Sequence, residues 1–194
     1  MTRKDDYSTF LEKLLSKNRP FAAWSMPGES TPELLIGEKD DLLTLPDFRK
    51  LNGQEGFVFA PFRITPASPL LILRPGIWLR DHEAVSSFNI DSLPSLEPAS
   101  PKKTDYYTIT ESDYLRDIRL TIAEIKRTSL SKVIVSRLLP AERKDESIGE
   151  LFMQLRKMTP NAFVYLVNLP QAGLWVGATP EALLQSHGKM METV

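Results

Sequence analysis

Two side chains in this sequence have the type and setting for acid–base chemistry. Lys132 opens the run Ser131-Lys-Val-Ile-Val-Ser-Arg137. As a strand, that run alternates, with Lys132, Ile134 and Ser136 on one face and Val133, Val135 and Arg137 on the other. A lysine heading a buried strand is desolvated, which lowers its pKa and fits it to act as a base. The competing reading is a lysine at a strand end that snorkels its ammonium into water. Glu181 follows Gly177-Ala-Thr-Pro180. Thr179, Pro180 and Glu181 read as a helix start, where an acid simply complements the macrodipole. A general-acid role for Glu181 then needs an opposing influence, such as an apolar pocket or anionic substrate groups. Pro160-Asn-Ala-Phe163 reads as an ordinary turn from helix to strand.

The elements that must position these residues fall into two parts. Phe10, Leu11, Leu14 and Leu15 repeat at helical spacing, predicting a helix over 7–17 capped by Ser8 or Asp6. Short apolar runs between Pro and Gly follow at Phe21–Met26, Glu33–Ile36, Phe57–Phe62, Leu70–Leu73 and Ile77–Leu79, and read as strands. Residues 1–90 are thus expected to form a sheet-rich part. Residues 91–105 form a connector, Pro/Ser-rich over 91–103 and short of apolar surface to offset ordering, so mobility is expected there.

From 106 to 194 the pattern changes. Leu115, Ile118, Ile122 and Ile125 predict a long helix with Ser112 as cap. Lys132–Leu139 is β-branched and reads as a strand, and Ser147–Met158 as a helix with Leu151, Phe152 and Leu155 on one face. Ala162–Leu169 and Leu174–Ala178 read as a hairpin turning at Pro170-Gln-Ala-Gly173. Lys189–Val194 reads as a strand just beginning, from which we expect a chain that stops inside a larger fold.

Composition removes several classes of function. The 24 basic and 25 acidic side chains of this 194-residue chain leave a net charge of -1, so neither nucleic acid nor an anionic membrane is expected as partner. There is no cysteine, which excludes disulfides, thiolate nucleophiles and cysteine-ligated metals. With two histidines, His82 and His187, no histidine-rich metal site is expected, and no P-loop or Rossmann glycine pattern occurs. No signal peptide opens the chain and no run reaches membrane-spanning length. A cytoplasmic protein is expected.

Taken in order, three blocks resemble the chorismate-binding enzymes. Lys132-Val-Ile-Val-Ser-Arg137 is similar to that family's Lys-Val-Val-Leu-Ser-Arg signature. Leu155-Arg156 followed by Pro160-Asn-Ala-Phe-Val-Tyr-Leu166 resembles the next block, and Gly177-Ala-Thr-Pro-Glu-Ala-Leu-Leu184 the one after. Gly56-Phe-Val-Phe-Ala-Pro-Phe62 is a looser match nearer the start. The resemblance implies an α+β fold of largely antiparallel sheets flanked by helices, of which this chain would hold the first half. It implies Lys132 as the base that activates water for attack at C2 of chorismate, and Glu181 as the acid that protonates the departing C4 hydroxyl. Anthranilate synthases commonly carry glutamine at the lysine position, so Lys132 points to an isochorismate synthase, with salicylate synthase as the alternative. A non-catalytic half-domain that binds a partner chain is the reading from another class.

Magnesium is the cofactor implied. Its glutamate ligands and the groups that hold the substrate carboxylates belong to a second half that these residues do not include, so none of the metal ligands is expected here. The chain alone is therefore expected to be inactive, and its open strand edges are expected to favour self-association. The pathway served would be menaquinone or siderophore biosynthesis.

Overall fold

A computed structural model describes residues 3–98, 108–142, 146–180, 184–187 and 190–193. The chain divides into two compact units, one of residues 1–102 with 146–194, the other of residues 103–145. The fold is α+β with antiparallel sheets, as expected.

In the first unit, helix α1 (Arg3–Ser16) precedes strands β1 (Phe21–Ser25) and β2 (Glu33–Ile36). Next come β3 (Leu42–Leu45), β4 (Phe57–Phe59), β5 (Leu70–Leu73), β6 (Ile77–Leu79) and the short helix α2 (His82–Ser87). In the second unit lies α3 (Glu111–Arg127). The chain then returns to the first unit through α4 (Ile148–Met158), β7 (Phe163–Leu169), β8 (Gly173–Thr179), β9 (Leu184–His187) and β10 (Met190–Thr193).

A five-stranded sheet runs in the order β6-β2-β1-β7-β8. Alternation decides which side chains meet which layer. Phe21, Ala23, Leu34, Ile36, Val164 and Leu166 turn to one face and pack with Leu11 and Leu14 of α1 and Phe152 of α4. Ala22, Trp24, Leu35, Val167 and Leu169 turn to the other, against Leu71 and Leu73 of the three-stranded sheet β3-β5-β4. The sheet is therefore covered by helices on one side and by a second sheet on the other.

The two helices approach closely because Gly149 of α4 sits over the Ser8 backbone. A Cβ there would stand 2.4 Å from the Ser8 carbonyl oxygen. Glu12 of α1 seals the contact, its Oε1 accepting from Ser147 Oγ and from the Gly149 amide, both at 2.8 Å.

Strands β1, β2, β5, β6, the hairpin β7–β8 and helix α4 stand at or near their predicted bounds, with Ser147 as the N-cap of α4. Several differ. The first helix begins at Arg3, and α3 is capped by Thr110, whose Oγ1 accepts from the Asp113 amide, not by Ser112. The expected strand Phe57–Phe62 ends at Phe59, and β3 and α2 carried no strong sequence signal.

Lys132–Leu139 is not a strand. The segment carries no ladder, because no neighbouring strand among the described residues pairs with it. Of the helix expected to start at Thr179, residues 181–183 lie outside the described part; Thr179 ends β8, and Leu184–His187 is strand β9, which pairs antiparallel with β10 from Leu184↔Thr193 to His187↔Met190. A capping sequence is only permissive, and here a hairpin partner six residues on takes the backbone bonds.

The connector is also better anchored than its composition predicts, over its first part. Lys13 pairs with Asp91, Lys17 Nζ donates to the Leu93 carbonyl, and Asn18 Nδ2 donates to that of Leu96. Residues 99–107 lie outside the described part.

Candidate functional site

The first block hangs from α3 in the second unit. The Tyr114 hydroxyl donates to the Val135 carbonyl at 3.3 Å, and the Arg137 guanidinium lies 5.2 Å from the centre of the Tyr114 ring. Lys132 is exposed, as are Val133 and Ile134. The burial that would tune a lysine toward base chemistry is absent around it.

The second and third blocks meet in the first unit as the hairpin β7–β8. Its register sets Phe163 opposite Thr179 and Tyr165 opposite Gly177. Gly177 leaves room for the Tyr165 ring, since a Cβ there would come 2.6 Å from the Tyr165 hydroxyl and push that side chain aside. The ring of Phe163 stacks on that of Tyr165, with centroids 6.0 Å apart. Strand β8 thus delivers Thr179 and Pro180 to the end of the sheet. Glu181 itself lies outside the described residues, so no geometry connects it to Lys132.

Sequence reasoning passed over Arg156, which stood inside the second block but was given no role. Arg156 follows Phe152 by one helical turn, so it falls on the stripe of α4 that packs inward. Its Nη2 donates to Ser25 Oγ at 3.2 Å and to the Ser30 carbonyl at 2.9 Å, and its Nη1 meets Met153 Sδ at 3.7 Å. Its Nε is buried without a partner. Burial lowers its pKa from the ordinary arginine value. A cation on an apolar helix stripe was the available signal.

Among the described residues no group of three or more His, Asp or Glu side chains converges as a metal ion requires. No helix among them is long and apolar enough to cross a membrane.

The family described as chorismate binding enzyme matches residues 39–194, a span that contains all three sequence blocks. No curated protein and no solved structure matches the chain. The extent of the family match, over a fold of antiparallel sheets and flanking helices, makes this chain a member of the chorismate-binding enzyme family.

Proposed function

We propose that the chain supplies the acid–base pair of an isochorismate synthase. One observation carries this over the family's other reactions. The first block opens with Lys132, where the ammonia-using members that the sequence resembles commonly carry glutamine. Lys132 takes a proton from water as it adds at C2 of chorismate. Glu181 gives a proton to the C4 hydroxyl, which leaves as water. General acid–base catalysis of this kind contributes roughly 10²–10⁴-fold for each group. The base role requires a covered lysine, so residues 132–139 must gain a neighbour that shields Lys132 from water before turnover. The resemblance assigns magnesium, which would orient a substrate carboxylate, and the remaining carboxylate-holding groups to a second half of the fold.

The test is product analysis by chromatography after incubating the enzyme that carries both halves with chorismate and magnesium. Isochorismate is expected, and Lys132→Ala and Glu181→Gln should each lower kcat by roughly 10²–10⁴-fold with little change in KM. Salicylate as first product, anthranilate formed with ammonia, or near-wild-type rates in both variants would overturn the assignment. The 194-residue chain alone should give no turnover, because it lacks positioning worth roughly 7–11 kcal/mol of barrier.

A second reading is a non-catalytic half that docks on a partner chain. It is favoured by the exposed Leu115, Leu120, Ile122, Ile134 and Leu139 of the second unit. Recovery of turnover on adding a separately made second half would support the enzymatic reading over it.

A further inference from the structure

We infer that the cleft between the C-terminal turn of α4 and the turn joining β1 to β2 binds a small carboxylate, with Arg156 as its cationic anchor. The cleft has a volume of about 340 Å³, within the size range of small-molecule sites. Arg156, Lys157 and Asn161 line it on the polar side, and Met153, Ala162 and Val164 supply apolar wall.

The charge balance of Arg156 points to an anion. Its side chain is half-buried, and no described carboxylate lies within ion-pair distance of it. The contrast with Arg19 is instructive, since that buried guanidinium has Glu38. A cation taken partly out of water and left unpaired costs free energy, and an anion in the cleft would offset it. The neighbouring titratable group, the Tyr7 phenol, supplies no countercharge, because burial raises its pKa far above neutrality. Glu29 lines the cleft but is exposed, and it pairs with neither Arg156 nor Lys157.

Arg156 does not serve as a cap for its own helix. Its Nη2 bonds go to Ser25 and Ser30 across the cleft. The helix end is closed instead by Thr159, whose amide and hydroxyl both donate to the Leu155 carbonyl. Two of the five guanidinium N–H donors thus fix the plane of the group, and the Nη1 side has only a thioether contact. With both Nη2 hydrogens committed and Nε buried, Nη1 is the side of the group left to meet a carboxylate in the cleft, through a single charge-assisted hydrogen bond. The apolar wall selects a carboxylate attached to a ring or short chain over a bare oxyanion, which would leave that wall unfilled.

Calorimetric titration of the 194-residue chain with benzoate tests the inference, with inorganic phosphate as the comparison. One saturable site for benzoate, at least 10-fold weaker in Arg156→Gln and at least 10-fold weaker for phosphate, is the expected result. Asn161→Trp, which fills the cleft from an exposed position and leaves Arg156 intact, should abolish binding and decides the matter if Arg156→Gln fails to fold. Chorismate distinguishes the source of the natural carboxylate. Displacement of benzoate identifies it as the substrate's own, and persistence at saturating chorismate identifies a separate ligand; either leaves the site standing. Absence of benzoate binding, equal affinity in Arg156→Gln and Asn161→Trp, or phosphate binding as tightly as benzoate would overturn it.

Discussion

Among the described residues, three buried polar side-chain atoms without partners, Tyr7 Oη, Arg19 Nη2 and Arg156 Nε, mark where residue chemistry and packing are in tension. Arg19 resolves most of it. Its Nη1 pairs with Glu38 and its Nε donates to the Pro94 carbonyl at 3.0 Å, so one fully buried fork ties two distant segments. Arg19→Ala should destabilise the chain by about 2–3 kcal/mol, since it removes charge-assisted bonds and leaves Pro94 unpaired. Arg19→Lys should recover less than half of that in urea denaturation, because an ammonium cannot serve both partners in a planar fork. Tyr7 behaves differently. Its ring is in the core but its hydroxyl bonds to nothing, so Tyr7→Phe should be neutral or stabilising by up to about 1 kcal/mol. A loss beyond 1 kcal/mol in the same assay would mean that a buried water completes the phenol. Neither role was legible in the sequence, where Arg19 falls outside every expected element and Tyr7 is merely the first residue of the expected helix over 7–17.

At the level of elements, the sequence was informative wherever a segment's partner is also present. Leu34, Ile36, Val164 and Leu166 follow a strand pattern, and each finds neighbours in the same sheet. Lys132–Leu139 has an equally strong β-branched pattern and forms no strand. Strand propensity is a preference for a pleated, half-buried surface, and a segment given no such surface stays irregular. That is also why the candidate site was only partly legible: the blocks fix residue types, whereas the environment of Lys132 depends on what covers it. The connector misled in the opposite sense, because its composition says nothing of Lys13, Lys17 and Asn18, which reach it from α1 and the turn that follows. The Lys13 ammonium holds the Asp91 carboxyl below its ordinary value of 3.8. A depressed folded-state value means that this pair supports the connector above the ordinary carboxylate range and stops doing so as pH falls through the folded pKa. The Leu96 amide, bonded to the Lys17 carbonyl, should therefore shift in NMR spectra as pH is lowered below about 3.8. Asp91→Asn should show the acid-like shift already at pH 7, and no shift in either experiment would mean that the ion pair is incidental.

For the whole molecule, the exposed apolar side chains are the dominant fact. Phe62, Leu120, Ile134, Leu139 and Met158 are each more than half exposed, and among the described residues strand β8 has only β7 as a neighbour. Open edges and apolar patches favour association. Light scattering should show mass rising with concentration, and a monodisperse monomer with no binding of an apolar-surface dye would contradict this. The sheet order has a further consequence, in time rather than in space. Strand β1 lies between β2 and β7, and Ser25 pairs with Val164. On the ribosome, at 5–20 residues per second, β7 follows β1 by roughly 7–30 s. Through that interval the β1–β2 hairpin exists with one edge of β1 bare, although that strand will be central in the finished sheet. Nascent chains stalled before β7 should be the species that chaperones capture, and release should begin once residue 169 has emerged.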